Sequence, residues 1–202
     1  MIIKKFKIYL EYIYILALGA ITSFSLPPYN YWIINFLTLS LLFTVLFKNK
    51  NKNLKEFFFY GYLFGFGYFV SNLYWIPLSL VHDDNFKFLI PFAIILIPAF
   101  ISLFYGFSFF IFRLFLNTKS IFINIIIFSL ILGFFEYLRG TIFSGFPWNL
   151  FAHTFSQNIE FIQIISIIGI YSFNTLCIAL FSIPSIFYFK KKKIDYVGFS
   201  LI

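Results

Sequence analysis

The order of hydrophobic and polar residues along the chain predicts a series of membrane-spanning helices. Long runs of Phe, Ile and Leu alternate with short segments that contain Lys, Asn, Asp or Pro. A helix needs about 20 apolar residues to cross a ~30 Å hydrocarbon core at ~1.5 Å per residue. By this criterion six spans are expected, at about residues 8–26, 29–47, 57–81, 88–116, 121–138 and 159–189. A last apolar segment, residues 194–202, predicts the start of a seventh span.

The pattern predicts an all-α fold, a polytopic membrane helix bundle that forms one transmembrane domain over residues 1–202. Composition agrees, because 61% of the residues are hydrophobic, 11% are charged and the mean hydropathy is +0.93. Soluble domains carry about 25% charged residues, so a soluble enzyme is excluded. The first apolar run has a second interpretation, a cleaved signal peptide. Glu11 and the neighbouring tyrosines disfavour it, because they interrupt the apolar core that such a peptide needs.

The basic residues predict which side of the membrane each loop occupies. The net charge is +8, which could indicate nucleic-acid binding, but the basic residues stand in short clusters between apolar runs. With the N-terminus in the cytoplasm, 13 of the 15 fall on the cytoplasmic side and only Lys87 and Arg139 fall outside. Basic residues are enriched in cytoplasmic loops of membrane proteins. The sequence therefore predicts a cytoplasmic N-terminus and no nucleic-acid partner.

The most unusual stretch is residues 133–157, GFFEYLRGTIFSGFPWNLFAHTFSQ. Glu136 and Arg139 end an apolar run and, three residues apart, share one helical face. An ionisable residue costs roughly 2.5–3.5 kcal/mol at the centre of a span and less near its end, so the pair requires an explanation. One explanation is an ion pair at the level of the lipid headgroups. The other is that the pair braces the loop that follows it.

That loop contains Gly145, Phe146, Pro147 and Trp148 in succession. Gly145 can adopt a positive φ, and Pro147 restricts Phe146 to extended conformations, so the pattern predicts a loop of defined shape. Trp148 is interpreted either as an interfacial anchor or as a contact for an acyl chain or substrate at the membrane surface.

The third predicted span carries a second group of candidate residues. Gly61 and Gly65 stand four residues apart, a spacing that lets another helix approach closely. Asn72 and Trp75 lie in the outer half of this span. They fit helix packing and an interfacial tryptophan, or alternatively the lining of a lipid pocket.

These motifs resemble the membrane region of bacterial apolipoprotein N-acyltransferases. The resemblance is most specific from Glu136 to Trp148, in Glu-Tyr-Leu-Arg-Gly followed by Phe-Ser-Gly-Phe-Pro-Trp-Asn, and weaker elsewhere, although it covers nearly the whole chain. It extends to residues 23–29, 65–75 and 169–174.

The resemblance implies a function in lipoprotein maturation. Members of the family transfer an acyl chain from a membrane phospholipid to the N-terminal S-diacylglyceryl cysteine of lipoproteins, in the bacterial inner membrane and without a cofactor. Their Cys nucleophile, with Glu and Lys, belongs to a nitrilase-like domain outside the membrane. The residues expected to contact lipid or substrate, or to support the loop, are Asn72, Trp75, Glu136, Arg139, Gly145, Phe146, Pro147 and Trp148.

No catalytic residue is assigned in this chain. Cys177 is the single cysteine and lies within the sixth predicted span, where apolar surroundings suppress the reactive thiolate. His82 and His153 do not have the spacing of metal ligands, so no metal site is expected.

The sequence therefore predicts a membrane region truncated or split from its catalytic half, which a separate nitrilase-like chain could supply, and inactive alone. Two alternatives remain open. One is a membrane scaffold that anchors another enzyme. The other is a small transporter, which the polar residues disfavour because they gather at the outer ends of the spans and not at the midplane.

Overall fold

A computed structural model describes residues 2–82, 84–85, 87–116, 120–143 and 145–189, and within these ranges the chain contains helices and no strand. The α-helices are α1 (Ile2–Thr22), α2 (Ile34–Lys48), α3 (Leu54–Asn72), α4 (Ile90–Phe115), α5 (Ile121–Thr141), α6 (Ile159–Ile168), α7 (Ile170–Ser182) and α8 (Ser185–Phe189). Short 3₁₀ helices lie at Ser23–Ser25, Ile76–His82, Lys87–Leu89 and Phe151–Phe155.

Four helical segments of this part of the chain are long and apolar enough to cross a membrane: Ile8–Ser25, Lys87–Phe115, Ile121–Thr141 and Ile170–Phe189. The predicted all-α fold is thus confirmed, and the chain is a membrane protein. The predicted number of six spans is not confirmed. α2 has 15 residues and is shorter than a typical span. α3 has 19 residues, but its glycines, tyrosines and charged first turn lower its hydropathy. Both remain predicted spans.

Other predicted boundaries differ from the structure. The span expected at 29–47 begins only at Ile34, the first residue of α2. The span expected at 57–81 ends at Asn72, after which the chain continues as the 3₁₀ helix Ile76–His82. The span expected at 159–189 is divided between α6, α7 and α8. Gly169, which separates α6 from α7, has φ +80°, a left-handed conformation that glycine adopts without a steric penalty. The predicted segment 194–202 lies outside the described residues.

The long helix α3 lies between α1 and α4. Gly61 packs so closely on α4 that a Cβ would collide with the carbonyl of Tyr105, and Gly65 packs against the same tyrosine. The close approach predicted from the Gly61–Gly65 spacing is therefore confirmed. Buried aromatic rings fill the space around it: Phe64 and Tyr68 on α3 contact Tyr105 on α4. This arrangement carries two tyrosine hydroxyls into the interior beside the end of α5.

Candidate functional site: a buried ion pair beneath a tryptophan loop

The ion pair predicted at the end of α5 is present and fully buried. Glu136 is 0% exposed and Arg139 is 2% exposed. The Nε and Nη2 of Arg139 both donate to Oε2 of Glu136, with a distance of 3.0 Å from Nε. Two charges withdrawn from water are tolerated only where further hydrogen bonds satisfy their remaining donors and acceptors. This pair has such partners on both sides.

The carboxylate has a partner on another helix. The hydroxyl of Tyr105, on α4, donates to Oε1 of Glu136. Nearby on α3 the buried hydroxyl of Tyr68 donates to the backbone carbonyl of Asn149 at 3.0 Å. No sequence motif singles out either tyrosine. A tyrosine within an apolar run needs a hydrogen-bond partner when it is buried, but the chain has 14 tyrosines, so this signal selects none of them.

The other side of Arg139 holds the loop. Its Nη1 donates to the carbonyl of Phe146 at 2.6 Å and to that of Trp148 at 2.8 Å, and the backbone N–H of Phe146 donates to the carbonyl of Arg139 at 2.9 Å. The guanidinium lies 5.1 Å from the ring centre of Phe69, within the range of a cation–π contact. One arginine therefore connects the end of α5, α3 and the loop.

The backbone of the loop is constrained by its own residues as well. Gly145 has φ +79°, as the sequence predicts, and a Cβ there would collide with the carbonyl of Gly140. Phe143 and Asn149 adopt φ of 55° and 61°. A bulky residue such as Phe143 occupies this left-handed region only where its surroundings impose it. The loop is thus held in one shape that its backbone alone would not favour.

Two tryptophans lie at the surface here, Trp148 in the loop and Trp75 after the end of α3. Trp148 is 55% exposed and Trp75 is 49% exposed, and their rings meet edge to face with centres 6.1 Å apart. Both line a cleft of about 380 Å³, which Asn72, Tyr29 and His153 also line. Six of the eight predicted site residues therefore form one connected region: Asn72, Trp75, Glu136, Arg139, Phe146 and Trp148. Gly145 and the exposed Pro147 shape the loop between them.

Comparison with known proteins identifies the same family as the motifs. The family model of the apolipoprotein N-acyltransferase N-terminal domain matches residues 18–183. An apolipoprotein N-acyltransferase of Rhodopseudomonas palustris is 35% identical over 175 residues, which are 85% of this chain and 32% of that protein. Those of Rickettsia bellii (36% identical; 81% of this chain, 32% of that protein) and Rhizobium rhizogenes (30%; 91% and 36%) are also similar.

The chain belongs to the apolipoprotein N-acyltransferase family, through its N-terminal domain. The resemblance inferred from the motifs is therefore confirmed, and the Glu136–Trp148 region lies within the matched residues. The chain spans about a third of the length of the curated relatives that it matches.

A second cleft, which no sequence motif indicates, is also lined by Arg139. It has a volume of about 380 Å³, and its other lining residues are apolar. A smaller cavity of about 250 Å³ adjoins it and shares Phe100, Phe104, Ile142 and Phe143 with it. The two together follow the face of α4 from Leu96 to Phe107. Leucine and phenylalanine are so abundant here that no sequence pattern marks this face.

The segment after the loop is anchored by polar contacts. The N–H of Leu150 donates to Nδ1 of His153 at 3.2 Å, and burial, together with the positive charge of Arg139, lowers the pKa of His153. The N–H of Ala152 donates to Asn174 on α7, and Thr154 donates to the carbonyl of Ser25. His153 is thus a neutral acceptor at neutral pH that helps to fix the segment.

Cys177 lies away from the ion pair and its loop. It is 2% exposed, on α7, and lines an apolar cavity of about 340 Å³ with Phe155, Phe161 and Phe173. Among the described residues, no three His, Cys, Asp or Glu side chains come together. The other described side chains that line this cavity are all apolar.

Proposed function

We propose that this chain is the membrane region of an apolipoprotein N-acyltransferase. The enzyme takes an acyl chain from a membrane phospholipid and attaches it to the N-terminal S-diacylglyceryl cysteine of a lipoprotein. The observation that carries the proposal is the contact of Arg139 with Glu136 and with the carbonyls of Phe146 and Trp148. A buried ion pair is costly at the end of a membrane span, and this one fixes a loop that presents Trp148 at the surface beside Trp75.

The two clefts beside the loop suit different parts of the substrates. The cleft that Trp75 and Trp148 line also contains polar groups, and it suits a polar substrate portion at the membrane surface. The apolar cleft and the smaller cavity that adjoins it together follow α4 from Leu96 to Phe107, ~16 Å, which is about half of a ~30 Å hydrocarbon core. It therefore matches the depth of one leaflet and accommodates an acyl chain. A nitrilase-like portion, in the same protein or as a separate chain, supplies the Glu, Lys and Cys that make and break bonds.

The proposed location is the bacterial inner membrane, crossed several times, with the N-terminus in the cytoplasm. The structure places Lys52 beside Arg113, at the end of α4 remote from the tryptophan loop. One end of the bundle is thus basic, which supports a cytoplasmic position for that end.

Labelling of single cysteines tests this orientation. Asn51, Asn85 and Ser156 are exposed and each is replaced by cysteine in a Cys177→Ser background. In intact cells an impermeant thiol reagent is expected to label residues 85 and 156, and residue 51 only after permeabilisation. Labelling of residue 51 in intact cells would contradict the proposed orientation.

The proposed function itself is tested at Trp148. In an enzyme reconstituted from this chain and the nitrilase-like portion of a relative, Trp148→Ala is expected to lower the rate of acyl transfer roughly five- to tenfold, because an aromatic contact contributes ~1 kcal/mol or more. The amount of protein in the membrane should fall much less.

Trp32→Ala is the matched control, since Trp32 is a partly exposed tryptophan that contacts Phe36 and Phe155 outside the cleft. It should change the transfer rate little. Equal losses of activity and membrane abundance for Trp148→Ala would show that this residue only anchors the protein.

A further inference from the structure

A basic cleft lies at the end of the bundle remote from the tryptophan loop. It has a volume of about 650 Å³ and is formed by the α2–α3 connection and the last turn of α4. Its lining residues are Lys52, Asn53, Leu54, Lys55, Arg113 and Leu114. Neither the proposed acyl-transfer site nor the family resemblance uses this cleft.

Among the described residues, two of its three cations form no ion pair with an acidic side chain. Lys52 is paired with Glu11 at 2.6 Å. Arg113 uses its Nε to donate to the carbonyl of Lys52 at 2.9 Å and lies 5.7 Å from the ring centre of Phe57. Within the described residues, neither Arg113 nor the exposed Lys55 forms an ion pair. With Lys52 paired to Glu11, the charges of Lys55 and Arg113 exceed the single negative charge of Glu56 beside them, so the described residues around the cleft are net positive.

The start of α3 supplies backbone donors to the cleft. Asn53 caps the helix by accepting from the N–H of Glu56, whose carboxylate accepts from the N–H of Asn53 in return. The first helical N–H groups, those of Leu54 and Lys55, have no partner within the helix and lie at its partially positive end. Both residues line the cleft, so backbone donors accompany the two side-chain cations.

An apolar surface continues from the cleft along α4. Leu114 lines the cleft and is exposed, and Phe107, seven residues earlier and thus on the same face of α4, is also exposed. The ring of Phe107 contacts that of Phe58 on α3, with centres 5.2 Å apart. A ligand with a polar anionic group and an apolar tail fits this arrangement better than a free anion does.

We propose that this cleft binds the headgroup of an anionic phospholipid. The phosphate lies between Lys55 and Arg113 at the start of α3, and an acyl chain follows Leu114 and Phe107 along α4. Basic pockets between membrane helices recognise lipid headgroups in this way, and each basic residue near the membrane surface contributes ~1 kcal/mol. The lipid bound here is a structural ligand. Its headgroup site lies at the opposite end of α4 from the apolar cleft proposed for the acyl donor, and the two surfaces meet at Phe107.

The test is a lipid titration of the full chain, purified in a neutral detergent. Phosphatidylglycerol and phosphatidylcholine with identical acyl chains are added separately, and native mass spectrometry measures the retained lipid. One phosphatidylglycerol should be retained in preference to phosphatidylcholine. Lys55→Gln should weaken its apparent affinity about fivefold, the equivalent of ~1 kcal/mol per basic residue. Arg113→Gln should do the same, whereas Arg113→Lys should retain most of the affinity.

Lys48→Gln and Lys50→Gln are the matched controls. These lysines lie near the same end of the bundle but contact the rings of Tyr188 and Phe47 and do not line the cleft. Each of the two substitutions removes one positive charge, as Lys55→Gln does, and should change the affinity for phosphatidylglycerol less than twofold. Equal losses in the control variants, or equal retention of phosphatidylcholine, would overturn the proposal. Displacement of the lipid by an equal concentration of glycerol phosphate would do so too, because it would identify a site for free phosphate.

Discussion

Replacing Arg139 by methionine is expected to lower the free energy of unfolding by about 3–5 kcal/mol, because removing one partner of a buried ion pair leaves the other charge uncompensated. Among the described residues, Glu136 would retain only the hydroxyl of Tyr105, and the carbonyls of Phe146 and Trp148 would lose this donor. Reversible denaturation of the purified chain in detergent measures the change. Tyr105→Phe, which removes one hydrogen bond to the carboxylate, should cost ~1–3 kcal/mol.

Lys87→Met provides the matched control for this measurement. Lys87 and Asp84 also form an ion pair three residues apart, at 2.5 Å, but both side chains are exposed. Exposed pairs contribute ~0–1 kcal/mol, so the control should change the stability little. If Arg139→Met and Lys87→Met had the same small effect, the buried pair would not hold the loop, and the proposed role of Arg139 would fail.

Much of this site could be predicted from sequence because its central features are local. The spacing of Glu136 and Arg139 fixes a shared helix face, and Gly145 with Pro147 limits the backbone of the loop. The contributions of Tyr68 and Tyr105 could not be predicted in this way. Their hydroxyls meet the site only after α3 and α4 pack against α5, and this packing depends on tertiary contacts that a linear pattern does not contain.

The number of spans could not be settled from the apolar pattern alone. α3 packs between α1 and α4, where its glycines permit close contact with α4 and Tyr68 finds a partner. Residues that serve helix packing lower the hydropathy of a helix, so its composition differs from that of a helix that only faces lipid. The break at Gly169 was also missed, because α6 and α7 are both apolar and together have the length of one span.

The chain alone is expected to show no acyl transfer. Transfer needs a nucleophile that can become a thiolate next to a base, and Cys177 is buried among apolar side chains in a candidate span, lining a cavity with phenylalanines. Proteoliposomes that contain the purified chain, phosphatidylethanolamine and a diacylglyceryl peptide should therefore yield no triacylated peptide by mass spectrometry. The full-length relative of Rhodopseudomonas palustris, tested in parallel, is the positive control for the substrates.

Addition of the nitrilase-like portion of that relative should restore transfer, and Cys177→Ser in this chain should leave the restored rate unchanged within about twofold. A nucleophile would not tolerate this change, since replacing one typically removes several orders of magnitude of the rate. Triacylated peptide from the chain alone would contradict the expectation, and its loss in the Cys177→Ser variant would then identify Cys177 as the nucleophile. Transfer that survived in this variant would point to a different catalytic group within this chain.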